Sequence, residues 1–168
     1  LCIDEGVEGI TVHPRPDQRH IRPTDVRQLN QLVSPLRTVE FNIEGNPFAP
    51  SFGDYPGFIA LVKESQPEQC TLVPDNNDQL TSDHGFDLNM TGEQLIPIIE
   101  DLKAQGIRVA LFMDPDPAQI RLAAEVGADR VELYTGPYAA AWGTDSLDRL
   151  FQRHLAAAEL ATSLGMGV

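Results

Sequence analysis

The stretch GITVHPRPDQRHI, residues 9–21, decides the fold of this chain. Its first four residues form a short apolar run typical of a buried strand, and His13 stands where that strand ends. The loop that follows supplies Arg15, Arg19 and His20. A histidine and a basic loop at the end of a buried strand indicate a sheet whose strand ends carry a site.

Strands and helices alternate outward from this stretch, with short connections. The further predicted strands are residues 39–44, 70–74, 109–113 and 130–134. Helices are predicted through residues 26–33, 58–62, 95–102, 120–126 and 145–164. Thr91, with Gln94 three residues later, predicts a capping box at the start of the third helix. The last helix is expected to bury residues 147, 150, 151, 155 and 158.

Two architectures fit five strand–helix units. One is an open, doubly wound sheet, and the other is a (β/α)8 barrel, which typically needs about 250 residues. Polar groups end several different strands, namely His13, Glu44 and Glu132 followed by Thr135. In a barrel all these ends surround one site, whereas in an open sheet only the strands beside the switch point share a site. The pattern alone slightly favours the open sheet, for which five units suffice, whereas the polar strand ends favour the barrel. Both α/β architectures stay open at this point, and either one makes residues 1–168 a single domain.

The composition narrows the function classes. The net charge of −13 and the pI near 4.5 argue against a nucleic-acid surface, although local cations and backbone N–H groups can still hold small phosphates. Cys2 and Cys70 form neither a disulfide framework nor a metal-ligand pattern. No apolar run is long enough to span a bilayer, and no secretory signal pattern opens the chain. We expect a cytoplasmic protein without a metal site.

Residues 11–21 carry the strongest candidate chemistry. Histidine titrates near neutral pH, so His13 suits a general base or acid. Arg15 and His20 suit a phosphate group. The alternative interpretation is a capped strand end followed by a charged, solvated loop.

Two carboxylates and one loop complete the candidates. Glu44 ends its strand before a glycine and could transfer protons, or it could serve as an N-cap or an ion-pair partner. Glu132 lies among apolar alternates, so in a barrel it faces the lumen, where it stabilises charge or pairs with a cation. Thr81 and Ser82 offer hydroxyl groups in a long loop, a weak signal because surface loops are usually polar.

Seven segments together resemble the pyridoxine 5′-phosphate synthase family, in order and at matching intervals. They are GITVHPRPDQRHI, EFNIEGNP, CTLVPD, LTSDHGFDL, GIRVALFMDPD, GADRVELYTGPYA and SLGMGV. The resemblance implies an α/β fold, a (β/α)8 TIM barrel in a homo-oligomer, and we expect residues 1–168 to be a single partial domain of it, an incomplete TIM barrel. It also implies condensation of 1-deoxy-D-xylulose 5-phosphate with 3-amino-2-oxopropyl phosphate to pyridoxine 5′-phosphate, phosphate and water, without a metal or organic cofactor.

The resemblance also implies roles for six residues. His13 matches the family's general base, Glu44 its acid–base carboxylate, and Glu132 the carboxylate that stabilises charge. The positions that hold the deoxyxylulose phosphate match Arg15, His20 and Thr81. Each of these positions has the residue type that the family expects.

The sequence lacks three motifs of the family. A first-strand Asn-Ile-Asp-His motif, a later proton-donating histidine and a Gly-His phosphate site have no counterparts in the sequence. We therefore expect strands two to six of the parent barrel, an unclosed and aggregation-prone sheet, and no activity from the isolated chain.

Two rival functions stay open at this point. A sugar-phosphate aldolase or epimerase of the same fold is one, and a strand-end lysine for a Schiff base would support the aldolase. Only Lys63 and Lys103 occur, and both lie in predicted helices. A non-catalytic, flavodoxin-like binding module is the other, and it would need an open sheet whose polar strand ends do not converge.

Overall fold

Strands and helices alternate along the whole chain in the computed structural model, which describes residues 2–168. The strands are β1 (Gly9–Val12), β2 (Glu40–Gly45), β3 (Gln69–Leu72), β4 (Arg108–Met113) and β5 (Arg130–Leu133). The helices are α1 (Pro23–Val33), α2 (Phe58–Ser65), α3 (Leu88–Ala104), α4 (Pro117–Glu125), α5 (Gly136–Ala140) and α6 (Leu147–Ser163). Over the described residues, none of these helices combines the length and the apolar character that a membrane span requires.

The strands form one parallel sheet in the order β1-β2-β3-β4-β5. Each strand lies beside the strand that precedes it in the sequence. Right-handed βα crossovers produce this order when all of them run in the same direction across the sheet. A flavodoxin-like sheet requires a reversal in strand order, so that rival is excluded. After α6 the chain returns to the sheet, where Gly167 pairs in parallel with Arg130. The fold is α/β and barrel-like, and within residues 2–168 the barrel is incomplete.

The two faces of the sheet differ in chemistry because alternate residues of a strand point to opposite faces. In β2, Phe41 and Ile43 are fully buried in the hydrophobic core. Asn42 and Glu44 alternate with them and lie on the opposite, concave face. In β4 and β5 the concave face carries Phe112 and Glu132, which are register partners. Apart from Phe112, the groups named on the concave face are polar, while the apolar core lies between the sheet and the helices.

The predicted capping box at Thr91 is wrong. Helix α3 begins one turn earlier, where the Asp87 carboxylate accepts a hydrogen bond of 3.1 Å from the Asn89 N–H. Thr91 instead donates its hydroxyl to the Asp87 carbonyl oxygen within the first turn. Aspartate caps a helix as well as threonine does, and starting at Leu88 lets that side chain enter the core.

The expected inward face of the last helix is also partly wrong. Phe151 and Leu155 of α6 are 49% and 40% exposed, whereas Ala157 and Ala161 are fully buried. Small residues let α6 approach α4 closely, and the large apolar side chains stay on the outer side.

Candidate active site

The centre of the site is a contact between the ends of β1 and β2. Thr11 pairs with Asn42 and Val12 with Ile43, so His13 follows opposite Glu44. The His13 Nδ1 atom lies 3.0 Å from the Glu44 Oε1 atom, and the two side chains are only 16% and 15% exposed. A carboxylate at Nδ1 favours the tautomer whose proton is on that nitrogen. In neutral His13 the Nε2 lone pair is then available to accept a proton.

Hydrogen-bonded polar side chains next to the His13–Glu44 pair support it. The Asn42 amide donates hydrogen bonds to the hydroxyl oxygens of Thr11 and Thr71, at 3.2 and 3.0 Å. Asn42 and Thr71 are buried, and these bonds join three adjacent strands across the concave face. Because buried polar groups that are hydrogen-bonded resist rearrangement, these side chains fix the strands that carry His13 and Glu44.

Asp75 joins the site although it was not among the predicted site residues. It lies just beyond β3, and its side chain is 5% exposed. Its Oδ2 atom accepts hydrogen bonds from Arg15 Nη2 at 3.1 Å and from the Ser82 hydroxyl at 2.8 Å, and lies 3.8 Å from His13 Nε2. The position of Asp75 in the sequence could have indicated its role. Asp75 follows the third strand, just as His13 and Glu44 mark the ends of the first two strands.

A small cavity that is partly open to solvent lies beside these side chains. Its volume is about 20 Å³, enough for roughly one water molecule. The lining includes His13, Arg15, Asn46, Tyr55 and Asp75. Asn46 donates its amide to the Asp75 carbonyl oxygen at 2.6 Å, so the loops after β2 and β3 are tied together above the cavity. A larger ligand would have to extend beyond this volume or displace these loops.

Tyr55 forms the apolar wall of the cavity. It is 1% exposed, and its hydroxyl donates to the Pro14 carbonyl oxygen at 3.4 Å. Burial raises the pKa of the Tyr55 phenol, so the hydroxyl stays neutral and acts only as a hydrogen-bonding group.

Glu132 lies on the same concave face, on β5. Glu132 keeps contact with solvent, but protein atoms surround much of its carboxyl group. Removal from water raises the pKa of Glu132 to about 7, and the nearby Glu44 carboxylate adds to the rise. Glu132 therefore exchanges a proton with solvent in the neutral range.

His20 and Thr81 are not brought to the cavity. Both side chains are exposed, and His20 has a left-handed backbone with φ of 65°. In the loop that carries Thr81, the neighbouring Ser82 makes the contact with Asp75. The structure thus groups His13, Glu44 and Arg15, adds Asp75 and Ser82, and places Glu132 within electrostatic range of Glu44.

Comparison with known proteins places this geometry in context. The profile of the family described as "Pyridoxal phosphate biosynthesis protein PdxJ" matches residues 1–168. A pyridoxine 5′-phosphate synthase from Xanthomonas axonopodis pv. citri (strain 306) is 53% identical over 167 residues, which is 99% of this chain and 65% of that protein. One from Xylella fastidiosa (strain M23) is 50% identical over the same share of this chain and 64% of its own length. The chain spans about 65% of the length of these curated relatives.

A solved structure supports the fold alone. The deoxyribose phosphate aldolase from Aeropyrum pernix, described as tetrameric, aligns with a TM-score of 0.56 at 18% sequence identity. The alignment covers 96% of this chain and 74% of the aldolase. At this identity the likeness confirms the barrel-like α/β architecture.

Proposed function

Since this chain belongs to the pyridoxal phosphate biosynthesis protein PdxJ family, we propose that the protein is a pyridoxine 5′-phosphate synthase. It condenses 1-deoxy-D-xylulose 5-phosphate with 3-amino-2-oxopropyl phosphate and releases pyridoxine 5′-phosphate, phosphate and water. The observation that carries the proposal is the His13–Glu44 contact of 3.0 Å at the strand ends, where His13 and Arg15 line one cavity. The reaction is assigned to the full-length protein.

The geometry suits the proton transfers that such a ring closure requires. Carbonyl additions and eliminations need a base and an acid that exchange protons with the same substrate. His13 offers Nε2 as the base, while Glu44 holds Nδ1 and stabilises the imidazolium that forms. Glu132, with its pKa of about 7, changes charge within the working pH range and stabilises a developing positive charge when ionised.

Arg15 is the proposed anchor for the deoxyxylulose phosphate. In a chain with a net charge of −13, a phosphate requires a local cation, and a guanidinium binds phosphate oxygens in a fork. His20 and Thr81 complete the phosphate site in this proposal. Because both are exposed, they would join the site as the loop around Thr81 closes on the ligand.

Aldolase chemistry of the Schiff-base type is not favoured. It requires a lysine amine near the strand ends. The sequence has only Lys63 and Lys103, which lie in α2 and α3. Their ammonium groups are paired with Asp101 at 2.5 Å and with Asp129 at 2.7 Å.

The proposal includes a cytoplasmic homo-oligomer that uses no metal or organic cofactor. The membership in the family is what supports the homo-oligomer. Light scattering of the full-length protein measures the number of subunits.

The deciding experiment supplies both phosphorylated substrates to the purified full-length protein and measures pyridoxine 5′-phosphate by chromatography. The proposal expects product only when both substrates are present, and a large loss of product in H13N. Product formation by H13N at the wild-type rate, or none by the wild type, contradicts it.

A further inference from the structure

The Arg15–Asp75 ion pair leaves two buried polar atoms without partners. The bridge uses Arg15 Nη2 and Asp75 Oδ2, at 3.1 Å. Asp75 Oδ1, an acceptor, and Arg15 Nε, a donor, are buried and have no hydrogen-bond partner among the described residues. Leaving a buried charged group partly unsatisfied is unfavourable, so such atoms in a folded protein call for an explanation.

Both side chains line the same cavity, so a single ligand can satisfy both atoms. Arg15 Nε requires an acceptor such as a phosphate oxygen, and Asp75 Oδ1 requires a donor such as a hydroxyl group. In a sugar phosphate, the hydroxyl group next to the phosphate ester lies a few bonds from the phosphate oxygens. An Arg15–Asp75 pair in direct contact matches that spacing.

We infer that Asp75 is a ligand-binding residue of this site, whose Oδ1 atom accepts a hydrogen bond from a hydroxyl group of the sugar phosphate that Arg15 holds. This inference rests on the proposed function and adds a specificity determinant to it. Asp75 distinguishes a hydroxylated phosphate ester from a simple one, because a hydroxyl-free ester has no donor for the carboxylate. The Ser82 hydroxyl, at 2.8 Å from Oδ2, and the Asn46 contact hold Asp75 in position.

D75N removes the acceptor with little change in shape. Arg15 and Ser82 both donate to Oδ2, so the amide of D75N turns its oxygen toward them. Its NH2 group then stands where Oδ1 was, and an NH2 group cannot accept a hydrogen bond from a hydroxyl. The variant also removes one negative charge, which on its own favours every phosphate ester alike.

The experiment compares the dissociation constants of 1-deoxy-D-xylulose 5-phosphate and methyl phosphate by calorimetry, on the full-length protein. In D75N the dissociation constant of 1-deoxy-D-xylulose 5-phosphate, divided by that of methyl phosphate, is expected to rise about tenfold. This is the usual effect on affinity of losing one hydrogen bond to a charged group. D78N is the matched control, because Asp78 is an exposed carboxylate of the same loop. Its ratio is expected to stay at the wild-type value.

S82A supplies a second test if D75N fails to fold. It removes one of the donors that hold Asp75. The same ratio of dissociation constants is expected to rise about threefold, which is less than the effect of losing the whole hydrogen bond to the ligand. Unchanged ratios in a folded D75N and in S82A overturn the inference and assign the Oδ1 partner to a permanent water. A wild type that binds neither the sugar phosphate nor methyl phosphate overturns the proposed function instead.

Discussion

The Nδ1 atom of His13 lies 3.0 Å from the Oε1 atom of Glu44, which joins the carboxyl ends of two adjacent parallel strands. Both side chains are mostly shielded from solvent, so the contact forms in a medium where charge–charge interaction is stronger than in water. The pair therefore orients the imidazole as well as balancing its charge.

E44Q is expected to lower kcat about 100-fold or more, since removing a positioned acid–base partner typically loses 10²–10⁴-fold in rate. KM should change little, because Arg15 holds the phosphate. Steady-state kinetics of the full-length protein test this. E64Q is the matched control, because Glu64 forms an exposed pair with Arg27 away from the cavity. Loss of activity below threefold in E44Q contradicts the assigned role.

R15K is expected to raise the KM for 1-deoxy-D-xylulose 5-phosphate about tenfold or more, with a smaller effect on kcat. An ammonium group keeps the charge but loses the planar fork that binds phosphate oxygens. Initial-rate measurements at varied substrate concentration separate the two parameters. R37K serves as the control, since Arg37 is exposed in the loop after α1. Equal KM values for R15K and the wild type would remove Arg15 from the phosphate site.

Glu132 should make folding stability depend on pH. Its folded pKa of about 7 lies above the usual glutamate value, so the folded state binds more protons than the unfolded state between about pH 4.5 and 7. Stability from this group is full below that window and is lost as the pH rises through it. E132Q lacks the titration and should gain melting temperature over the wild type at pH 8 more than at pH 5.

Thermal unfolding at pH 5 and pH 8 measures this difference. E93Q, a change of an exposed residue on α3, should show no such pH dependence relative to the wild type. A gain in E132Q that is equal at both pH values is incompatible with the raised pKa.

The loop around Thr81 is expected to close on the sugar phosphate. The cavity of about 20 Å³ is too small to enclose such a ligand, and Thr81 lies exposed outside it, so we expect residues 75–84 to rearrange on binding. Hydrogen exchange of a peptide over residues 76–84 should slow when 1-deoxy-D-xylulose 5-phosphate is added, while a peptide over α2 stays unchanged. Faster or unaltered exchange at saturating ligand argues against closure.

Gly85 is expected to tolerate no side chain. A Cβ atom there would lie 2.2 Å from the Asp114 backbone nitrogen and 2.5 Å from the Met113 carbonyl carbon. G85A should lower the free energy of unfolding by about 3 kcal/mol, the upper range for overpacking, because backbone atoms cannot move aside. Urea unfolding measures the change. G9A is the control, since its nearest contact would be 3.4 Å, and a loss in G85A no larger than that of G9A refutes the close approach.

Local patterns predicted most of the fold. Five apolar runs of strand length, separated by helical periodicity, became five parallel strands with intervening helices. These patterns also placed His13 and Glu44 at strand ends. The spacing of apolar residues and the point where a strand stops depend on residues that are neighbours in the sequence, so both can be predicted from it. The order of the strands in the sheet, in contrast, depended on packing between segments that are far apart in the sequence.

Other features depended on contacts that no local pattern records. Asp87 rather than Thr91 begins α3 because the core takes up Leu88, and Phe151 stays exposed because alanines allow α6 to approach α4. His20 and Thr81 match expected residue types, yet their place depends on loop geometry and on a ligand. Their roles stay predictions.

The sequence by itself determined the βα alternation, the acid–base and basic residues at the strand ends, and the family. Only the tertiary structure decided the consecutive strand order, the 3.0 Å contact of His13 with Glu44, and the inclusion of Asp75 in the site. The physical reason is separation along the chain. Strand and helix formation is governed mainly by residues a few positions apart, whereas Arg15 and Asp75 meet only after three strands have packed side by side.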